Sequence, residues 1–189
     1  MLKVIGTILV VIVLLGLGGY AYLTYIQKVD LGKVAQVATT DNAKDTNYPI
    51  QITGQAMIPN YKDGQAWFVD KLAYISNSPQ RGDVILFKDV KNPSLEMAKR
   101  VVGLPGEEVE IKEGKVYING NLLEESYLSQ DVMTQNSDYP KLGEKVTIPA
   151  NNYYLLGDNR PHSSDSRIWG FLPRENILGK VTTCYKNCQ

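Results

Sequence analysis

The sequence has a single histidine and no excess of either charge, and both scarcities limit what the protein can do. Its 189 residues carry 20 basic and 20 acidic side chains. Domains that bind nucleic acid usually show a basic excess, so no nucleic-acid partner is expected. One histidine excludes a metal site built from several histidines, and we expect neither a metal nor another cofactor. His162 follows Pro161 in a polar stretch, which is typical of a solvated loop residue.

Cysteine is almost as scarce, since the chain has only two and both lie in its last few residues. A C-x-x-x-C pair with no other ligand nearby is a weak zinc signal. Cys184 and Cys188 therefore leave two alternatives. They form a disulfide, which suits an exported protein, or they are free thiols on a frayed tail.

Charge is missing altogether from residues 4–26, VIGTILVVIVLLGLGGYAYLTYI. At a rise of about 1.5 Å per residue, a helix of this length can cross a hydrocarbon core about 30 Å thick. Tyr20, Tyr22 and Tyr25 cluster at its C-terminal end, and tyrosine favours the membrane interface. A cleaved signal peptide is the alternative, but its apolar region spans only about 7–15 residues. We therefore predict a retained, single-span anchor over residues 1–27.

The stretch that follows the span, residues 28–47, is rich in Thr, Asp, Asn and Lys. Such a composition is typical of a linker that holds a domain off the membrane. Lys3 precedes the span and Lys28 and Lys33 follow it, so the positive charges alone leave its orientation open.

Helical periodicity is weak from residue 48 onward, and short runs rich in β-forming residues take its place. These runs predict strands within residues 50–53, 65–75, 83–89, 108–123, 145–159 and 175–186. The predicted fold class is mostly β, with an antiparallel sheet domain over residues 48–189 behind the N-terminal transmembrane helix. Residues 124–142 are predicted to be a loop-rich insertion or lobe.

Three stretches combine glycine, proline and chemically active side chains: GQAMIPNYKDG (54–64), AKRVVGLPGEEV (98–109) and GDNRPHSSDSRIWGFLP (157–173). Each alone has a plain structural explanation, for example a strand-to-turn junction or a tight turn capped by Asp. Together with RGDV (81–84), in this order and behind a predicted span, they resemble the boxes of the type I signal peptidases. The resemblance runs from the span to about Pro173.

The resemblance implies a membrane-bound serine endopeptidase that removes signal peptides from exported preproteins. Its catalytic domain would lie on the extracytoplasmic side of the cell membrane, and its partners would be signal peptides and the lipid membrane. Family members cleave after small-x-small sequences because two shallow apolar pockets admit only small side chains. Ile52, Met57 and Val84 are the expected lining of such pockets here. Four apolar residues are candidates either for surface near the lipid or for core: Met57, Ile58, Trp169 and Phe171.

The family uses a Ser/Lys dyad, and Lys99 matches its general base. A lysine can accept a serine proton only if its pKa falls from about 10.4 towards about 7–8, which burial can achieve. Apolar residues flank Lys99 at 97–98 and 101–102, so a strand here would carry its side chain into packed surroundings. By resemblance, Ser163 orients Lys99. The residues that would support the site structurally are Asp158, Arg160, Asp165 and Arg167.

The position that matches the nucleophile is Ala56, and here the sequence departs from the family's pattern. The backbone N–H of residue 56 would still supply part of an oxyanion hole. The hydroxyl that some members place two residues earlier is replaced by Gly54. Removing the nucleophile of a serine protease costs about 10⁶ in kcat, so the chain as written is expected to be close to inactive.

Three explanations of Ala56 stay open. Serine was replaced by design to trap an inactive enzyme, or a natural protein keeps the fold as a peptide-binding or assembly factor, or the nucleophile lies elsewhere. For the last, the nearest hydroxyls by motif are those of Ser163, Ser164 and Ser166. The retention of Lys99 favours a single loss in an enzyme, because a lysine in apolar surroundings is costly to keep. A self-cleaving, repressor-type Ser/Lys protease is disfavoured by the N-terminal span and the last box.

Overall fold

The computed structural model describes residues 46–135 and 137–188, which form an antiparallel β domain with very little helix. The mostly-β prediction is confirmed. Within these described ranges, no helix is long and apolar enough to cross a membrane. The predicted anchor over residues 1–27, and all but the end of the predicted linker over 28–47, lie outside the described residues.

The strands are short, and their bounds in chain order are β1 (Asn47–Gln51), β2 (Ala66–Asp70), β3 (Val84–Lys88), β4 (Glu96–Gly103), β5 (Glu108–Lys112), β6 (Lys115–Ile118), β7 (Asn121–Leu122), β8 (Lys145–Thr147), β9 (Asn152–Leu156), β10 (Leu172–Pro173) and β11 (Ile177–Lys186). A single α-helical turn, α1, spans Ser166–Trp169, and 3-10 turns span Arg160–His162 and Arg174–Asn176. Each run predicted to be β contains or overlaps a strand; the run 50–53 overlaps only the end of β1, which begins at the last residue of the predicted linker. The predicted runs missed β4, for which a strand around Lys99 was only a condition, and β10, which is too short to show alternation.

Two sheets share these strands. The larger has the order β1-β2-β11-β3-β4-β9-β10 and the smaller the order β7-β6-β5-β8. Strands β3 and β4 are interior strands of the larger sheet, and Lys99 on β4 is paired with Ile85 of β3, while the pairing of β4 with β9 begins at the next residue, Arg100. Strand β9 pairs with β4 and ends immediately before Gly157, where the last sequence box begins.

The core consists of three apolar clusters, and β3 contributes to two of them. Ile85 and Phe87 pack into one cluster, whereas Val84 and Leu86 pack into another with Met57. Since successive side chains of a strand point to opposite faces, the continuous apolar run of β3 reflects a strand that is covered on both faces.

The aromatic residues after the last box pack inward. The Trp169 ring lies 5.8 Å from that of Phe87, and Phe171 meets Tyr139 edge to face at 5.1 Å. Met57 is 3% exposed. For Trp169, Phe171 and Met57 the structure therefore favours core over a lipid-facing surface, whereas Ile58 is half-buried.

Two further features of the domain are the inserted stretch and the pair of C-terminal cysteines. Residues 124–135 and 137–142, the described part of the predicted insertion, contain no strand and only one isolated bridge, between Asp138 and Lys141. At the other end of the domain, Cys184 and Cys188 form a disulfide with an Sγ–Sγ distance of 2.05 Å. Of the two alternatives for these cysteines, the structure has the disulfide.

Candidate functional site

A cavity of about 570 Å³ has both Ala56 and Lys99 in its wall. Its lining comes from residues 48–53, from residues 96–99 of β4, and from Ala56, Met57, Leu86 and Ser164. The fold therefore brings the predicted nucleophile position and the predicted base, which belong to different sequence boxes, to one concave site.

Two of the three predicted substrate-binding residues line this cavity. Ile52 and Met57 do so and are 7% and 3% exposed. Val84 does not, and this prediction is corrected: Val84 packs in the core cluster with Met57, and Leu86 lines the cavity in its place. The signal for Leu86 was present in the sequence, since residues two apart on a strand share a face. Ala98 is a further lining residue that the sequence analysis missed.

The turn that carries Ala56 is closed by backbone hydrogen bonds on both sides. The N–H of Ile52 donates to Gln65 O at 2.8 Å, and that of Gly64 donates to Ile52 O at 2.9 Å. Gly54 adopts φ +80°, a conformation that side-chain-bearing residues rarely adopt, and its N–H donates to Asp63 Oδ1 at 2.7 Å. The glycine at 54 is therefore required by the backbone of the turn.

Lys99 has the surroundings expected of a general base. Its side chain is 5% exposed, and its Nζ donates to Ala98 O at 3.2 Å. Burial lowers the pKa of Lys99 below its ordinary value, although the carboxylates of Asp165 and Asp158 oppose this shift. The desolvated amine can therefore lose its proton at a lower pH than a surface lysine.

Ser163 lies next to the Ala56 turn, and Gly157 brings the two together. A Cβ built at Gly157 would lie 2.1 Å from Ser163 Oγ and 2.6 Å from Ala56 O. Ser163 Oγ is buried and makes no hydrogen bond to any residue that the structure describes. Ser163 therefore makes no hydrogen bond to Lys99 here, and its orienting role stays a prediction.

Asn159 is a residue of the site that the sequence analysis did not single out. Its N–H donates to Ala56 O and its Nδ2 donates to Gln55 O, each at 3.0 Å. The last box is therefore tied directly to the turn that carries position 56. The signal was the motif itself, since Asn159 stands within GDNR.

Asp165 and Arg167 form the buried pair that the resemblance implied. Arg167 Nε donates to Asp165 Oδ1 at 2.8 Å and its Nη2 to Oδ2 at 2.9 Å, with the two residues 3% and 0% exposed. Asp165 also accepts from the N–H of Gly157 at 3.0 Å and caps α1. His162, by contrast, is exposed, as a solvated loop residue would be.

Asp158 and Arg160 are both buried, but they pair with residues outside their own box. Asp158 accepts from Arg100 Nε at 2.8 Å and from its Nη2 at 2.6 Å. Arg160 pairs with Glu125 of the inserted stretch. Sequence alone had not indicated these two partners.

Replacing Gly157 by alanine is expected to destabilise the domain by about 1–3 kcal/mol, the usual cost of overpacking. The added methyl group would collide with Ala56 O, a backbone atom that Asn159 holds in place. Thermal unfolding followed by tryptophan fluorescence measures the effect. Gly157 has no positive φ, so the collision alone should cause the loss, whereas Gly120→Ala meets open space and reports only the cost of a positive φ. An unchanged unfolding temperature of Gly157→Ala would contradict the tight contact.

Replacing Asp165 by asparagine is expected to lower the free energy of unfolding by about 3–5 kcal/mol, because it leaves the buried guanidinium of Arg167 without its counter-charge. Urea unfolding measures this loss. Glu108→Gln, which removes an exposed pair with Lys145, is the control and should change stability little. Equal effects of the two substitutions would show that the Asp165 charge is not needed.

Comparison with known proteins gives a consistent set of relatives. Signal peptidase I of Leptolyngbya laminosa is 43% identical over 137 residues, which cover 69% of this chain and 64% of the relative. The probable signal peptidase I-2 of Synechocystis sp. is 34% identical over 135 residues, covering 69% and 59%. Signal peptidase IB of Staphylococcus aureus (strain Mu50) is 35% identical over 145 residues, covering 71% and 75%. The chain thus spans less than two thirds of the length of the first two relatives.

One solved structure, a signal peptidase I from Enterococcus faecalis V583, is 34% identical with a TM-score of 0.47, covering 56% of this chain and 98% of that one. The family model described as signal peptidase, peptidase S26, matches residues 45–186. Since this match takes in nearly all of the described domain, the chain belongs to the signal peptidase family, peptidase S26.

Proposed function

We propose that this chain is a membrane-bound endopeptidase of the Ser/Lys type that removes signal peptides, and that it is inactive as written because Ala56 stands at the nucleophile position. One observation carries the proposal: Lys99, buried and with a lowered pKa, shares a cavity with Ala56. A neutral, desolvated amine is what a serine hydroxyl needs as its proton acceptor. Family membership supports the same reading.

The reaction would proceed by covalent catalysis once a serine stands at position 56. Its Oγ would attack the scissile carbonyl while Lys99 Nζ takes the hydroxyl proton, and Lys99 would then return that proton to the leaving amine. Water would hydrolyse the resulting acyl-enzyme. The backbone N–H of residue 56 would stabilise the oxyanion, and Ser163 would orient Lys99.

The substrate class rests on the family resemblance, and the lining of the cavity supports it. Its apolar side chains include Ile52, Met57 and Leu86, which suit small apolar groups such as those of a small-x-small cleavage site. The predicted span supports attachment to the membrane. The Cys184–Cys188 disulfide supports an extracytoplasmic domain, since disulfides persist in oxidising compartments.

A second candidate function is a peptide-binding or assembly factor without catalysis, and Ala56 itself favours it. The cavity is lined as a peptide site whether or not a nucleophile is present. The experiment that separates the two functions is Ala56→Ser, assayed on a preprotein with an Ala-x-Ala cleavage site. Cleavage supports the enzyme, whereas a correctly folded but inactive variant leaves the binding factor.

A further inference from the structure

Two residues of the inserted stretch, Glu125 and Tyr127, contact the three sequence boxes of residues 54–64, 98–109 and 157–173, although they belong to none of them. We propose that this strap, residues 125–127, is a positioning element for catalysis, which holds the turn of Ala56, the strand of Lys99 and the turn of Ser163 in their reactive arrangement. The proposal rests on the proposed function and adds to it a role for a loop that the sequence analysis left without one.

The strap is joined to the turn of Ser163 through Glu125. Both carboxylate oxygens of Glu125 accept from the Arg160 guanidinium, with Nη1 to Oε2 at 3.1 Å, and Arg160 is 1% exposed. Arg160 Nε in turn donates to Gly157 O at 3.1 Å. Gly157 is the residue packed between Ser163 and Ala56 O. Glu125 therefore fixes the Arg160 guanidinium, which in turn binds Gly157 at its contact with Ser163 and Ala56.

The strap is joined to the strand of Lys99 through Tyr127. The Tyr127 ring lies 4.2 Å from Arg100 Cζ, on a guanidinium that also donates to both oxygens of Asp158. Arg100 is the residue after Lys99 on β4. Because neighbouring side chains of a strand leave it on opposite faces, holding Arg100 on one face constrains the direction in which Lys99 points on the other.

The strap is joined to the turn of Ala56 through Asn60. Asn60 Nδ2 donates to Tyr127 O at 2.8 Å and to Asp158 Oδ2 at 2.9 Å. Asn60 stands in the turn that the Tyr61 N–H to Met57 O bond closes at 2.9 Å. The peptide carbonyl of Tyr127 thus holds the end of the turn that begins at position 56.

These three connections form one network. Tyr127 OH donates to Glu125 Oε1 at 2.6 Å, so the residue that holds Arg100 also orients the residue that holds Arg160. Burial, together with the Glu125 carboxylate, raises the pKa of Tyr127, so it remains a neutral donor. Among the described residues that line the cavity, none belongs to the strap. Its effect on the reaction is therefore expected in kcat, which depends on the alignment of reacting groups, more than in KM.

The kinetic test compares Tyr127→Ala with Tyr127→Phe, each in the full chain carrying Ala56→Ser. Tyr127→Ala is expected to lower kcat about 10- to 100-fold, the scale set by small misplacements of reacting groups, with KM little changed. Tyr127→Phe keeps the ring over Arg100 and loses only the hydroxyl that orients Glu125, so its kcat should lie between those of Tyr127→Ala and the parent protein. Tyr117→Ala, which removes a tyrosine of β6 in the smaller sheet, is the matched control. A kcat of Tyr127→Ala equal to that of the control would overturn the proposal.

A second measurement needs no activity and uses the chain as written. The amide of Asn159, which donates to Ala56 O, should exchange with deuterium at least about tenfold faster in Tyr127→Ala, because local opening governs such exchange. The amide of Ile148, bonded to Glu107 O in the other part of the domain, should be unchanged. Equal acceleration of exchange at both amides, or no acceleration at Asn159, would overturn the proposed positioning role of the strap. An inactive Ala56→Ser protein would instead count against the proposed function, while the exchange result would still decide the strap.

Discussion

Placing a hydroxyl at position 56, by Ala56→Ser, is expected to raise the kcat for signal-peptide cleavage by about 10⁶-fold over the chain as written. Two other groups of the proposed mechanism, the Lys99 amine and the main chain of residue 56, lie at this site. Lys99 is buried in the same cavity, and the backbone around position 56 is held by Asn159. Single-turnover cleavage of a preprotein with an Ala-x-Ala site, followed by N-terminal sequencing of the product, measures both rate and position.

The control for this gain is Ala150→Ser, which adds the same hydroxyl at an exposed turn away from the cavity. It should leave cleavage at the level of the chain as written. Two outcomes would contradict the prediction. A folded Ala56→Ser protein without cleavage would leave the peptide-binding factor. Cleavage by the chain as written that disappears in Ser164→Ala would place the nucleophile elsewhere, since Ser164 also lines the cavity.

Replacing Lys99 by methionine in the Ala56→Ser protein is expected to return cleavage close to the level of the chain as written. A general base alone contributes about 10²–10⁴-fold, and a nucleophile and base that act as a unit lose nearly everything when either is removed. Methionine keeps an unbranched apolar stem in the buried site, so the domain should stay folded. Lys88→Ala, at the exposed end of β3, is the matched lysine control and should be fully active.

The pH dependence of kcat/KM in the Ala56→Ser protein tests the same role. Lys99 accepts a proton only when neutral, so kcat/KM should rise with pH as the lysine loses its proton. Because burial lowers the pKa of Lys99, this rise should be centred below the ordinary lysine value of 10.5. The carboxylates of Asp165 and Asp158 act in the opposite direction, so Asp158→Asn should move the midpoint to lower pH. A rise centred at the ordinary value would contradict a desolvated base.

Much of the fold could be predicted because its signals are local. Runs rich in β-forming residues gave the positions of strands, and β3 was visible as an apolar run between an Arg-Gly turn and charged residues. Strand β4 was not among the predicted runs, because Lys99 and Arg100 interrupt its apolar residues, and β10 was missed because its two residues carry no alternation. Val84 was assigned to the cavity because it lies in a recognised box, but it packs in the core cluster with Met57, and Leu86, two residues further along the same face of β3, lines the cavity.

The ion-pair partners of the buried charged residues could not be predicted from the sequence. Asp158 and Arg160 are two residues apart, yet Asp158 pairs with Arg100 and Arg160 with Glu125. Ion pairs between distant segments depend on which strands and loops become neighbours. The residue pattern within one segment does not specify those neighbours. The same holds for Asn159, whose bond to Ala56 O requires the last box to fold back onto the first.

The sequence by itself determined the β character of the domain, the order of its boxes and the absence of a hydroxyl at position 56, because each is a property of local residue pattern. Only the tertiary structure decided that Lys99 is desolvated, that Ala56 and Lys99 share one cavity, and that the strap reaches all three parts of the site. The physical reason is that desolvation and charge pairing arise between segments far apart in the chain. They exist only when residues 48–53, residues 96–99 of β4 and the turn after β9 meet around one cavity.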